Sequence, residues 1–124
     1  MKILFAVPDR DLLQAYERLL QLNGHEVTAV FDGIQAAAQT AGQHFDAAVF
    51  DVKLSRVTPE RLLELFREER IPAIVLSKDP GDRRTLDAKY PGNRYLHYPF
   101  LPEELEEYLK EIESAGKWQV TENE

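Results

Sequence analysis

No cysteine occurs among the 124 residues, which excludes disulfides and thiolate metal sites and is compatible with a reducing compartment. Long apolar runs are also missing. The first run, Ile3-Leu4-Phe5-Ala6-Val7, follows Met1-Lys2 directly and is broken by Pro8, so it reads as neither a signal peptide nor a membrane span, and a cytoplasmic location without membrane contact is expected. Positive charge is in deficit, with 15 Lys and Arg against 22 Asp and Glu and a formal net charge of −7. Basic pairs such as Arg83-Arg84 are scattered among carboxylates, so direct nucleic-acid binding is not expected. His25, His44 and His97 are dispersed and show no ligand spacing. Val7-Pro8-Asp9-Arg10-Asp11 has no Gly- or Ser-rich character with which to cradle a phosphate, which argues against a nucleotide or flavin binder. No nucleophile and base can be assembled from the strand ends, so no catalytic residues are assigned and an enzyme is not expected.

What is present is a repeated strand-then-helix grammar within a length that suits one domain. Ile3–Val7 reads as a strand, and Leu12, Leu13, Tyr16, Leu19 and Leu20 recur at helical spacing until Asn23-Gly24. Glu26–Phe31 reads as a second strand, with Asp32 capping an alanine-rich helix from Ile34 to Ala41. Ala47–Phe50 is apolar without alternation, as a parallel strand covered on both faces should be, and it ends at Asp51. Thr58-Pro59-Glu60 supplies a cap, a first-turn proline and an early acid for a helix carrying Leu62, Leu63, Leu65 and Phe66. Ile71–Leu76 is a fourth strand. Between Ser77 and Asn93 the pattern is poor, with Leu86 the main apolar anchor, and a short or loosely packed helix is expected. Tyr95–Tyr98 is a fifth strand, and Leu105, Tyr108, Leu109 and Ile112 mark the buried stripe of a last helix.

Five such units joined by short connections predict an α/β fold: a doubly wound parallel sheet with helices on both faces. Rossmann-type and flavodoxin-type strand orders both satisfy the pattern. In either, the working crevice lies at the carboxyl ends of the strands, which gathers Pro8-Asp9, Asp51, Ser77 and Tyr98 on one edge.

From Lys2 to about Ile112 the chain resembles a response-regulator receiver domain of the CheY-like kind. Three stretches carry the likeness: Phe45-Asp46-Ala47-Ala48-Val49-Phe50-Asp51-Val52-Lys53-Leu54, Ile71-Pro72-Ala73-Ile74-Val75-Leu76-Ser77, and Tyr95-Leu96-His97-Tyr98-Pro99-Phe100. The resemblance implies the flavodoxin-like strand order 2-1-3-4-5 and makes Asp51 the phosphoacceptor candidate. It also assigns Ser77 as switch hydroxyl, Tyr95 as switch aromatic, and Pro99 as the proline that is usually cis in that family.

The sequence departs from the family at the positions that handle charge. Two adjacent acids normally follow the first strand and help to hold Mg²⁺, whereas Val7 and Pro8 stand there, and neither can ligate a hard cation. The remaining metal candidates are Asp9, Asp51 and the backbone carbonyl of Lys53. Asp9 lies one position late and is expected to cap the first helix rather than to ligate. Tyr98 occupies the place of the lysine that precedes the proline, and a phenol brings one hydrogen bond but no positive charge. Lys78 replaces a small residue after the switch hydroxyl. No cofactor is therefore expected beyond a poorly held Mg²⁺.

The last helix sets Glu103, Glu104, Glu106, Glu107, Glu111 and Glu113 against Lys110, which in isolation reads as a solvated acidic face. The resemblance adds a second reading, an interaction face comprising Tyr95, Tyr98, Glu104, Glu107, Tyr108 and Glu111. Its acidity suits a basic partner better than a second copy, so a monomer or weak dimer is expected. Residues 1–113 are assigned to the receiver-like domain and 114–124, with Trp118, to a flexible tail or the start of a linker. The function expected is an atypical, pseudo-receiver signalling module that acts by protein contact with little or no Mg²⁺-dependent phosphorylation. The alternative is a working two-component receiver phosphorylated on Asp51 by a histidine kinase.

Overall fold

The strands and helices alternate without exception: β1 (Lys2–Ala6), α1 (Arg10–Leu22), β2 (Glu26–Val30), α2 (Gly33–Gly42), β3 (Ala47–Asp51), α3 (Pro59–Glu68), β4 (Ala73–Ser77), α4 (Pro80–Lys89), β5 (Arg94–His97) and α5 (Pro102–Glu122). The structure, a computed structural model, describes the backbone of residues 1–122 and the side chains of residues 1–115. All pairings are parallel and the strand order is β2-β1-β3-β4-β5, the flavodoxin-like order. The register sets Phe5 beside Val49, Val49 beside Ile74 and Val75 beside Tyr95, so strand ends with polar residues fall together at the carboxyl edge.

Parallel strands buried on both faces need apolar residues pointing both ways, which is why β1, β3 and β4 read as unbroken apolar runs. Alternate residues feed two cores. Leu4, Ala48, Phe50 and Val75 pack with Ala36 of α2, Leu62, Leu63 and Phe66 of α3, and Leu86 of α4. Ile3, Phe5, Val49 and Ile74 pack with Leu13 and Leu20 of α1 and with Leu105, Leu109 and Ile112 of α5. α4 buries only Leu86, in keeping with the poor apolar pattern of its sequence.

Four helices start on side-chain caps that satisfy otherwise orphaned amides. Asp9 accepts from the N–H groups of Asp11 and Leu12, Asp32 from Gln35, Thr58 from Arg61, and Asp79 from Gly81. β4 begins at Ala73 rather than at Ile71 because Pro72 has no N–H to donate; its carbonyl instead accepts from Ala48 at 2.9 Å. The Tyr98–Pro99 peptide is cis. α5 runs as one helix from Pro102 to Glu122, across the domain boundary placed at residues 113–114, and the side chain of Trp118 lies outside the described residues. No helix among the described residues is long and apolar enough to cross a membrane.

Candidate functional site at the carboxyl edge

Asp51 is the last residue of β3 and is 8% exposed, so its carboxylate needs partners. Both oxygens have one. Oδ1 accepts from the Lys53 amide at 2.8 Å, closing a local turn, and Oδ2 accepts from the Tyr98 hydroxyl at 2.8 Å. Tyr98 follows β5, two strands away from β3, and its amide donates to the Ser77 carbonyl at 3.0 Å. Strands lie about 4.8 Å apart, so the phenol spans the end of β4 to reach Asp51, a distance suited to a long side chain.

The phenol is held protonated. Burial raises its pKa well above the ordinary phenol range, and the Asp51 charge, the hydrogen bond to Asp51, and the neighbouring Tyr16 and Asp9 push the same way. The ring is fixed from behind by an aromatic stack: Tyr98 to Phe100 at 5.4 Å between centroids, Phe100 to Tyr16 at 5.3 Å, and Tyr16 to Phe5 at 6.0 Å. The Tyr16 hydroxyl donates to the Phe100 carbonyl at 3.3 Å, tying α1 to the β5–α5 connection.

The other site residues fall on the same edge without converging on Asp51. Ser77 is buried and its Oγ donates to the Asp79 carbonyl at 3.2 Å, within its own loop. Lys78 is exposed. Tyr95 is buried against the core beneath α4, with the Arg83 guanidinium 5.4 Å from its ring centroid. Burial, and then the Asp87 charge, raises the Tyr95 pKa.

Mg²⁺ demands several oxygen ligands in near-ideal octahedral geometry, and this donor set fits it poorly. Val7 is a core residue, 1% exposed, and Pro8 has no ligating atom. Asp9 uses Oδ1 to cap α1 at 3.0 and 3.2 Å, and each Asp51 oxygen already accepts one hydrogen bond. Among the described residues no group of three or more His, Cys, Asp or Glu side chains is placed to hold a metal ion.

Next to this site, β5 and α5 enclose a groove of about 380 Å³ lined by Tyr95, His97, Pro99, Glu104, Glu107 and Tyr108. Two of its residues carry buried polar atoms with no hydrogen-bond partner among the described residues, Tyr95 Oη and His97 Nε2. Of the interaction face read from the sequence, Tyr95, Glu104, Glu107 and Tyr108 share the groove; Glu111 is exposed one turn further along α5, and Tyr98 turns inward to Asp51.

Nothing local in the sequence marks the Phe5–Tyr16–Phe100 support, since the three residues are spread over 96 positions and each reads as ordinary core. It also did not single out the tie between α5 and the α1–β2 turn, in which Glu106 meets His25 Nε2 and Asn23 Nδ2, each at 3.0 Å. Two polar residues flanking Gly24 just past a helix end, Asn23 and His25, are the available signal.

No protein-family model matches the chain. The response regulator MprA of Mycobacterium avium (strain 104) is 32% identical over 111 residues, 85% of this chain and 47% of the mycobacterial protein. The chain thus spans about half the length of the curated relatives it matches. Among solved structures, the receiver domain of sensor histidine kinase PA1611 from Pseudomonas aeruginosa PAO1, described with a magnesium ion coordinated in its active-site cleft, is 28% identical with a TM-score of 0.78, covering 90% of this chain and 95% of that one. The receiver domain of the Francisella response regulator 1452 is 27% identical with a TM-score of 0.81, covering 93% and 98%. With the strand order and the placement of Asp51, these likenesses make the chain a receiver domain of the response-regulator, CheY-like kind.

Proposed function

We propose that this receiver domain is a pseudo-receiver: a cytoplasmic module, not an enzyme, that passes a signal by protein contact while Asp51 stays closed to Mg²⁺-dependent phosphorylation. One observation carries the reading, the 2.8 Å hydrogen bond from the Tyr98 hydroxyl to Asp51 Oδ2. Phosphoryl transfer depends on positioning a free carboxylate oxygen and on neutralising charge over the equatorial oxygens of the phosphoryl group. Here the second oxygen of the nucleophile is covered by a neutral phenol. The raised pKa of that phenol keeps the cover on throughout the physiological range. The groove between β5 and α5 is the contact surface, and Glu104 and Glu107 on its rim suit a basic surface of a signalling partner.

Phosphorylation of Asp51 by a histidine kinase is the second reading. It is favoured by the position of Asp51 at the end of β3 and by the likeness to a receiver domain described with magnesium in its cleft. An amide-resolved NMR titration separates the two, adding Mg²⁺ and then beryllofluoride to the native domain and to Asp51→Asn. For a pseudo-receiver, both proteins stay silent around residues 51, 77 and 95 at millimolar Mg²⁺. Shifts there in the native protein that are absent from Asp51→Asn establish a working phosphoacceptor instead.

A further inference from the structure

The Tyr98 phenol reaches Asp51 from a short connection, residues 98–101, whose own anchors lie at its two ends. At the near end the Tyr98 amide donates to the Ser77 carbonyl at 3.0 Å. At the far end Glu104 reaches back from the first turn of α5 to accept from the Leu101 amide at 3.1 Å, while its own amide donates to the Leu101 carbonyl at 3.0 Å. Between them the Phe100 carbonyl accepts from the Tyr16 hydroxyl at 3.3 Å, which among the described residues is the hydrogen bond that ties the connection to α1. Leu101 is 63% exposed, so that residue gives the connection no backing from outside.

Tyr16 acts on Tyr98 through one intermediate ring. Centroid distances of 5.3 Å from Tyr16 to Phe100 and 5.4 Å from Phe100 to Tyr98 are those of aromatic pairs in contact, so one tyrosine holds both the carbonyl and the ring of Phe100. Behind Tyr16 stands Phe5, fully buried on β1, a fixed base for the stack. A phenylalanine at position 16 would offer the same ring to Phe5 and Phe100, and what the hydroxyl adds is the bond to the connection. Burial, then the Glu103 and Glu104 charges, raises the Tyr16 pKa and keeps that hydroxyl a donor.

We infer that Tyr16 is the positioning residue of the closed site: its hydroxyl latches the Phe100 carbonyl to α1, and opening the latch lets the Tyr98 phenol leave Asp51. This rests on the closed reading of Asp51 and places its control on α1, outside the site itself. At 3.3 Å and between neutral groups, the latch is the longest of the bonds that hold the connection, whereas the phenol meets a carboxylate at 2.8 Å. A movement that separates α1 from the connection therefore breaks the latch first and withdraws the ring that aims the phenol.

The test compares the exchange rate of the Tyr98 hydroxyl proton by NMR in the native domain, Tyr16→Phe and Phe100→Leu, the signal being assigned by its absence from Tyr98→Phe. Tyr16→Phe keeps the ring and loses the latch, so the proton should exchange about three- to tenfold faster, as the loss of one neutral hydrogen bond allows. Phe100→Leu withdraws the intermediate ring and should speed exchange at least as much. Tyr90→Phe controls for a general loss of stability, since it removes a hydroxyl bond to Glu64 on the other face of the sheet, and it should leave the rate native. The latch is overturned if the native domain shows no protected Tyr98 hydroxyl, if Tyr16→Phe or Phe100→Leu exchanges at the native rate, or if Tyr90→Phe speeds exchange as much as they do. Beryllofluoride with Mg²⁺ judges the closed reading separately: uptake by the native domain ends that reading, whereas a silent native domain with unchanged exchange in the variants overturns the latch alone.

Discussion

Tyr98 replaces a cation with a neutral donor, and the consequence can be measured in the unliganded protein. Removing the hydroxyl leaves Asp51 Oδ2, on a residue 8% exposed, without its partner. A lost hydrogen bond to a buried charged group costs about 1–3 kcal/mol, so Tyr98→Phe should lower the unfolding free energy by that amount in urea denaturation at pH 7. Burial of the phenol, together with the Asp51 charge and this bond, also predicts a pH dependence. The folded pKa of Tyr98 is raised above the ordinary 10.0, so above pH 10 the unfolded chain binds fewer protons than the native one. The stability contributed by the protonated phenol is complete below pH 10 and is lost as pH rises from there towards the raised folded value. Native protein should therefore lose stability above pH 10 more steeply than Tyr98→Phe, and equal slopes would show that the folded phenol titrates no higher than the unfolded one. The pattern of strands put Asp51 and Tyr98 on one edge, and the replacement of lysine by a phenol was visible in the sequence. Their contact was not, because it depends on the spacing across β4 and on the aromatic stack behind the ring.

Helix α2 illustrates a constraint that propensity alone misses. Gly33 opens the helix, its amide donates to the Ser55 carbonyl at 2.9 Å, and a Cβ placed on it would lie 2.6 Å from Val57 Cβ and 3.1 Å from Ser55 O. Alanine is the better helix former by about 1 kcal/mol, but overpacking against the β3–α3 loop costs about 1–3 kcal/mol. Gly33→Ala should therefore lower the melting temperature. Gly42 closes the same helix with nothing within 4 Å of a new Cβ, so Gly42→Ala should raise it. If both variants melt higher than the native protein, the contact with Val57 is not a constraint. Caps were the best-read features at this scale: Asp32 and Thr58 announce their helices, and Asp9 caps α1 as its position one residue beyond the family's acids suggested. Element ends are less legible. Ile71 looked like the start of a strand, yet it closes the turn after α3, and the strand waits until after Pro72.

Across the molecule, stability is concentrated in the middle of the sheet and thins towards α4. Ile3–Ala6, Ala47–Phe50 and Ile74–Leu76 are fully buried, whereas α4 holds to the body through Leu86 alone among its buried residues. That helix nevertheless touches both switch candidates: Arg83 covers the Tyr95 ring, and the Asp79 carbonyl at its start accepts the Ser77 hydroxyl. Elements that move in signalling are drawn from the least stable part of a fold, and an opening of α4 would release Ser77 and uncover Tyr95 together without touching the Tyr98–Asp51 bond. Native-state hydrogen exchange at increasing urea tests this ordering. Amides of Leu4, Val49 and Ile74 should exchange only through global unfolding, with the full denaturant dependence. Those of residues 83–89 should exchange through a smaller opening with weak denaturant dependence and a lower free energy. If the α4 amides instead follow the global curve, the helix is locked to the core, and a signal reaching the β5–α5 groove must travel through Tyr98 and its aromatic stack.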